Sequence, residues 1–140
     1  MPEKKKNLEL DKLLESKQVR FANDPNLVIQ SIPFGIPSLD VILNGGIPRR
    51  RISIMAGAFS SGKSFLLQLL LKSAIERGLQ VAYLDTEKAF DPTWWTQVGL
   101  PLEKVLITQP LTGEDTINIA AAMAIGGIDV IAVDSLAAMV

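Results

Sequence analysis

The chain has 140 residues, of which 48% are hydrophobic and 21% charged, and its net charge is -1. That is the balance of one ordinary globular domain with a real core, and it supplies no overall electrostatic pull toward nucleic acid. With neither cysteine nor histidine, disulfides, thiolate metal sites and the usual zinc ligand sets are excluded, and an intracellular, cytoplasmic protein is expected.

The start MPEKKK is followed by no apolar stretch of the secretory type. No apolar run is long enough to cross a bilayer, since FLLQLLL is soon broken by Lys72, Glu76 and Arg77. Residues 4–20 are charged, with Leu10, Leu13, Leu14 and Phe21 near one face, which predicts a short amphipathic helix. Too short to hold alone, it has to pack on its own domain or on another subunit. FANDPNLV reads as a linker in which Pro25 keeps Asp24 out of helical geometry.

From Ile32 onward the pattern becomes one of apolar strands alternating with helices, so residues 1–31 read as helix and linker and 32–140 as the core. Strands are expected at 51–56, 80–85, 105–109 and 130–134. Helices are expected at 62–77 and 112–124, the second opened by Thr112 with Asp115 three residues on, a variant of the capping box. The implied fold class is α/β, a mostly parallel sheet covered by helices on both faces.

Between the first strand and the first core helix stands GAFSSGKS, which fits GxxxxGK[ST] in the strand-to-helix context that motif requires. Gly57 and Gly62 let the backbone turn so that the N–H groups of the loop, Ser60 and Ser61 included, form a nest for phosphate oxygens. The start of the helix adds partial positive charge. Lys63 reaches the terminal phosphates as a point charge, and the Ser64 hydroxyl is a ligand for Mg²⁺. A turn that happens to hold a lysine would not need this spacing, so a nucleoside triphosphate site is expected. In IDVIAVDS, Asp134 closes an apolar strand at the crevice end of a parallel sheet, where it serves as a second Mg²⁺ ligand, directly or through water; read alone, it is equally a cap or a turn residue.

The order GAFSSGKS, DTEKAFDP, TQPLTGE, IDVIAVDSLAAMV resembles the ATPase core of bacterial RecA recombinases, and IPFGIPSLDVILNGGIPRRRI is similar to that family's lead into its first core strand. The similarity covers about 32–140. It implies a phosphate-loop NTPase of RecA type that uses ATP and Mg²⁺, acts on single-stranded DNA in recombination and repair, and assembles as a homo-oligomer or filament. It implies that Glu87 orients and activates the attacking water, and that Asp91 and Trp94 hold the adenine base. Tryptophan at 94 departs from the tyrosine often found there but keeps a flat stacking face, with Trp95 expected to turn inward. Lys88 stands where a histidine-type residue often follows the glutamate. The KKK and RRR runs read as solvated charge rather than nucleic-acid patches. Leu10, Leu13 and Leu14 are expected to be a subunit contact.

The family's DNA-binding loops, its next core strand and its C-terminal domain follow the Asp134 strand and are not in this sequence, so a partial chain of marginal stability is expected. The absent strand lies between the phosphate-loop strand and the Asp134 strand, leaving those two either paired directly or separated by a vacancy. Two other functions stay open: a non-catalytic nucleotide-binding interaction module of a RecA-like filament, and a RecA-fold ATPase of another branch, such as a replicative helicase or a circadian-clock ATPase, against which DTEKAFDP argues.

Overall fold

Helix α1 (Glu3–Glu15) forms in the charged N-terminal segment of the computed structural model, which describes residues 3–16 and 19–139. Two compact units divide the chain, Met1–Gln30 and Ser31–Val140. Within the first, the helix stops short of the expected 4–20, and Phe21, 70% exposed, lies beyond it. Leu10 and Leu13 stay exposed, while Leu14 is half-buried. Asp24 caps the turn at Pro25–Leu27 by accepting from Asn26 N, an Asx turn preceding proline.

The second unit opens with β1 (Ser31–Ile32), α2 (Pro37–Ile42) and β2 (Ile47–Pro48), none of which the apolar pattern announced. Asp40 organises this lead-in, accepting from Phe34 N at 2.7 Å with one carboxylate oxygen and from Gly35 N at 3.0 Å with the other. The short antiparallel pairing of β1 with β2 brings Gly46, at φ +112, so close that a Cβ would sit 2.1 Å from the Ile32 carbonyl oxygen. Only glycine fits there.

Helix α3 (Lys63–Glu76) follows the glycine-rich loop and buries Leu70, Leu71, Ala74 and Ile75. Then come β3 (Val81–Asp85), α4 (Pro92–Val98), β4 (Val105–Thr108), α5 (Gly113–Ile125) and β5 (Val130–Asp134). The sheet order is β4-β3-β5, all parallel, with Val81 opposite Val105 on one side and Val130 on the other. The α/β class is therefore as expected, and the bounds of α3, β3, β4, α5 and β5 fall within about a residue of the sequence reading, whereas α4 was not expected. Thr112 caps α5 by accepting from Asp115 N at 3.0 Å.

Burial is uneven. Every residue of β3 is buried, because strands flank it on both edges and helices cover it, whereas Leu106 of β4 is 53% exposed. Coverage of both faces thus holds for the central strand alone. The core combines Leu71, Ala74 and Ile75 of α3 with Val81, Tyr83, Trp95, Leu100 and Ala132. Trp95 is its largest member and meets Tyr83 and Phe90 edge-on, at ring separations of 4.7 and 5.0 Å.

One expected strand does not form. Residues 51–56 carry no ladder pairing, and Ile52 and Ile54 are 95% and 74% exposed. A strand exists only through a partner's hydrogen bonds, and among the described residues β5 pairs with β3 alone. Of the two outcomes expected for this region, the phosphate-loop segment stands apart from β5 rather than paired with it. Nearby, Arg49 is not free solvated charge: its guanidinium lies 2.7 Å from Asp129, whose other oxygen accepts from Gln80 N at 3.1 Å.

Candidate functional site

The loop 57–64 lies at the amino end of α3. Its turn is made by residues in the left-handed region, Ser60 at φ 57 and Gly62 at φ 86. Gly62 is the N-cap and contributes no side-chain cap, so the first N–H groups of a long helix, those of Lys63 and Ser64 among them, are left for an external acceptor. At Gly57 a Cβ would lie 3.0 Å from Ser61 Oγ, a hydroxyl that a change of rotamer moves aside, so Gly62 rather than Gly57 is the glycine the turn requires. Lys63 folds back over the loop and donates from Nζ to the carbonyl oxygens of Ala58 (2.8 Å) and Gly57 (3.1 Å). Its ammonium is thereby stationed inside the loop's curve.

A second group gathers at the carboxyl ends of β3 and β5. In-register pairing sets Asp85 beside Asp134. The two strands continue to hold each other past their ends: Thr86 N donates to Asp134 O at 2.9 Å and Thr86 Oγ1 to Ser135 O at 2.8 Å. This juxtaposition lets Ser135 Oγ donate to Glu87 Oε1 at 2.5 Å. Asp134 in turn accepts from the Tyr83 hydroxyl at 3.0 Å. Burial first, and then the negative charge of Asp134, push the pKa of that hydroxyl far up, so it remains a donor.

Asp85 was not singled out from the sequence, yet it is fully buried and accepts three hydrogen bonds, from Ala89 N and Phe90 N, each at 3.0 Å, and from Gln109 Nε2 at 2.8 Å. It closes the turn that carries Glu87 and Lys88, the latter in the left-handed region at φ 56. The available signal was a carboxylate ending an uninterrupted apolar strand, a position with no water to solvate it.

The remaining candidates lie on α4. Asp91 is its N-cap, accepting from Thr93 N at 2.8 Å and more weakly from Trp94 N at 3.4 Å. Trp94 is 47% exposed while Trp95 is 2% exposed, so the two rings face opposite ways. Trp94 lies against α3, its Nε1 donating to Gln68 Oε1 at 3.1 Å.

The candidates therefore form three groups: the loop with Gly57, Ser60, Ser61, Gly62, Lys63 and Ser64; the strand ends with Glu87 and Asp134; and α4 with Asp91 and Trp94. Helix α3 joins the first to the third. Among the described residues no hydrogen bond or ion pair joins the first to the second. The unpaired segment 51–56 explains this, since no ladder carries the loop across to β5.

A glycine-rich loop capping a helix, beside parallel strands that end in carboxylates, defines a phosphate-loop α/β protein. The chain belongs to the RecA family: it matches the RecA N-terminal domain over residues 8–140. Protein RecA of Herpetosiphon aurantiacus is 38% identical over 146 residues, covering 99% of this chain and 41% of that protein. Protein RecA of Levilactobacillus brevis is 40% identical over 124 residues, 87% of this chain and 33% of the relative. For Protein RecA of Rhodospirillum rubrum the identity is 42% over 114 residues, 80% of this chain and 31% of the relative. This chain thus spans between about a third and two fifths of the length of the relatives it matches. No helix among the described residues is long and apolar enough to cross a membrane.

Proposed function

We propose that the chain binds ATP with Mg²⁺ and forms the ATPase core of a RecA-like recombinase that acts on single-stranded DNA in recombination and repair. The observation that carries this reading is Lys63 curled back over the loop at a helix end that has no side-chain cap, which puts a cation beside N–H groups at the start of α3. On binding, Lys63 exchanges two carbonyl oxygens for phosphate oxygens, a stronger, charge-assisted contact.

Mg²⁺ takes hard oxygen ligands and keeps much of its shell as phosphate and water. The Ser64 hydroxyl and the Asp134 carboxylate have that chemistry, and Tyr83 holds one Asp134 oxygen in place. These two residues would hold the ion, which supplies neutralisation of phosphate charge. Glu87, exposed but tethered by Ser135, positions the attacking water. Asp91 fixes the start of α4, and Trp94 offers the base an aromatic face. Exposed Leu10 and Leu13 suit a subunit contact in a filament, and a cytoplasmic location goes with the same reading.

A second reading, nucleotide binding without turnover, draws support from the loop standing apart from the strand ends: among the described residues no hydrogen bond or ion pair joins the two. ATP binding and hydrolysis measured side by side, with and without single-stranded DNA, separate the two. Lys63→Ala is expected to abolish binding, whereas Glu87→Gln keeps binding and stops turnover. Equal loss of binding in both variants would refute the roles assigned here.

A further inference from the structure

Gln68 is 5% exposed on α3, in the company of Leu70, Leu71, Ala74 and Ile75. A buried amide requires a partner, and its side-chain oxygen has one in Trp94 Nε1 at 3.1 Å. Phe65 lies three residues earlier on the same helical face, its ring centroid 6.3 Å from that of Trp94 and tilted by 49°. The indole is thus held at its nitrogen and flanked on one side, yet it is 47% exposed.

We infer that Gln68 is a positioning residue for the base platform: by accepting from Trp94 Nε1 it sets the indole plane before a nucleotide arrives, favouring ligands that carry a planar aromatic base. The inference rests on the proposed role of Trp94. An exposed tryptophan without this tether would be ordered only on binding, and that ordering lowers affinity by about twofold to tenfold. The tether also connects the base platform to the helix that begins at Lys63 and Ser64, so the base and phosphate ends of one ligand are read from a single rigid element.

The test uses the full chain and two ligands, ATP and inorganic tripolyphosphate, which has no base. Gln68→Met keeps the length and volume of the side chain and removes the amide oxygen. It is expected to weaken ATP by about twofold to tenfold and to leave tripolyphosphate unchanged. Trp94→Phe keeps a ring but loses the donor, so adding Gln68→Met to it should cause no further loss. In the proton NMR spectrum the Trp94 indole N–H should exchange slowly in the wild type and faster in Gln68→Met. Equal weakening of both ligands by Gln68→Met would show a packing role only and overturn the inference. Unchanged ATP affinity in Gln68→Met, with weakening in Trp94→Phe, would overturn the inference and leave the base platform standing. ATP bound no tighter than tripolyphosphate by the wild type would overturn both.

Discussion

Ser135 shows how much one hydroxyl can matter to an exposed carboxylate. Its Oγ lies 2.5 Å from Glu87 Oε1, and without that donor a surface glutamate would populate several rotamers. If Glu87 orients the water, Ser135→Ala should lower turnover by about 10-fold to 100-fold, the scale of effect expected from a small misplacement of a catalytic group. Nucleotide affinity should stay within about twofold, and Ser135→Thr, which keeps the hydroxyl, should retain most of the rate; steady-state kinetics beside equilibrium binding checks both. Tyr83 makes a different, pH-dependent contribution. Burial and the Asp134 charge raise its pKa above the ordinary 10.0, so the folded state holds the proton more tightly than the unfolded chain does. The corresponding stability is complete below pH 10.0 and is lost as pH climbs through the alkaline range above it. Urea midpoints compared at neutral pH and above pH 10.0 should therefore fall more steeply for the wild type than for Tyr83→Phe. The loop's place at the start of α3 could be read from the one-dimensional pattern because a glycine-rich strand-to-helix turn is local backbone chemistry. The Ser135 to Glu87 contact could not, being made between residues 48 positions apart.

Elements were legible where their signals were local. Helix α3 starts at the end of a glycine-rich loop, α5 at a Thr112 cap, and β3 and β5 as uninterrupted apolar runs. Helix α4 was not foreseen although its signals were present: Asp91 as cap, Pro92 in the first turn and Gly99 at φ 88 as the stop. Two tryptophans in a seven-residue helix leave too little periodicity to show a face. The turn joining β3 to α4 depends on Asp85. Its removal leaves two backbone N–H groups and the Gln109 amide without their shared acceptor, so Asp85→Ala should lower stability by about 3 kcal/mol, at the upper end for hydrogen bonds to a charged group. Gln109→Ala, which removes a single donor, should cost about 1 kcal/mol. Denaturant unfolding followed by tryptophan fluorescence would measure both, and equal losses would contradict the shared-acceptor account.

At the scale of the molecule, the order β4-β3-β5 concentrates stability in one strand. Val81 to Leu84 are buried and paired on both edges, and Asp85 is buried and paired with β5, while 51–56 have no ladder among the described residues although their composition suits a core strand. Amide hydrogen exchange on this chain should find the β3 amides slowest and those of Ile52 and Ile54 among the fastest. Slow exchange at Ile52 and Ile54 would show that the segment is paired after all. The α/β class, the Thr112 cap, the glycine-rich strand-to-helix loop and Asp134 at its strand end were read along the chain, because each rests on turn chemistry or on a period within a few residues. The neighbours of each strand, the burial of Asp85, the Gln68 tether on Trp94 and the unpaired state of 51–56 emerged only in three dimensions, since a ladder, a buried acceptor or an edge is a relation between residues far apart in sequence.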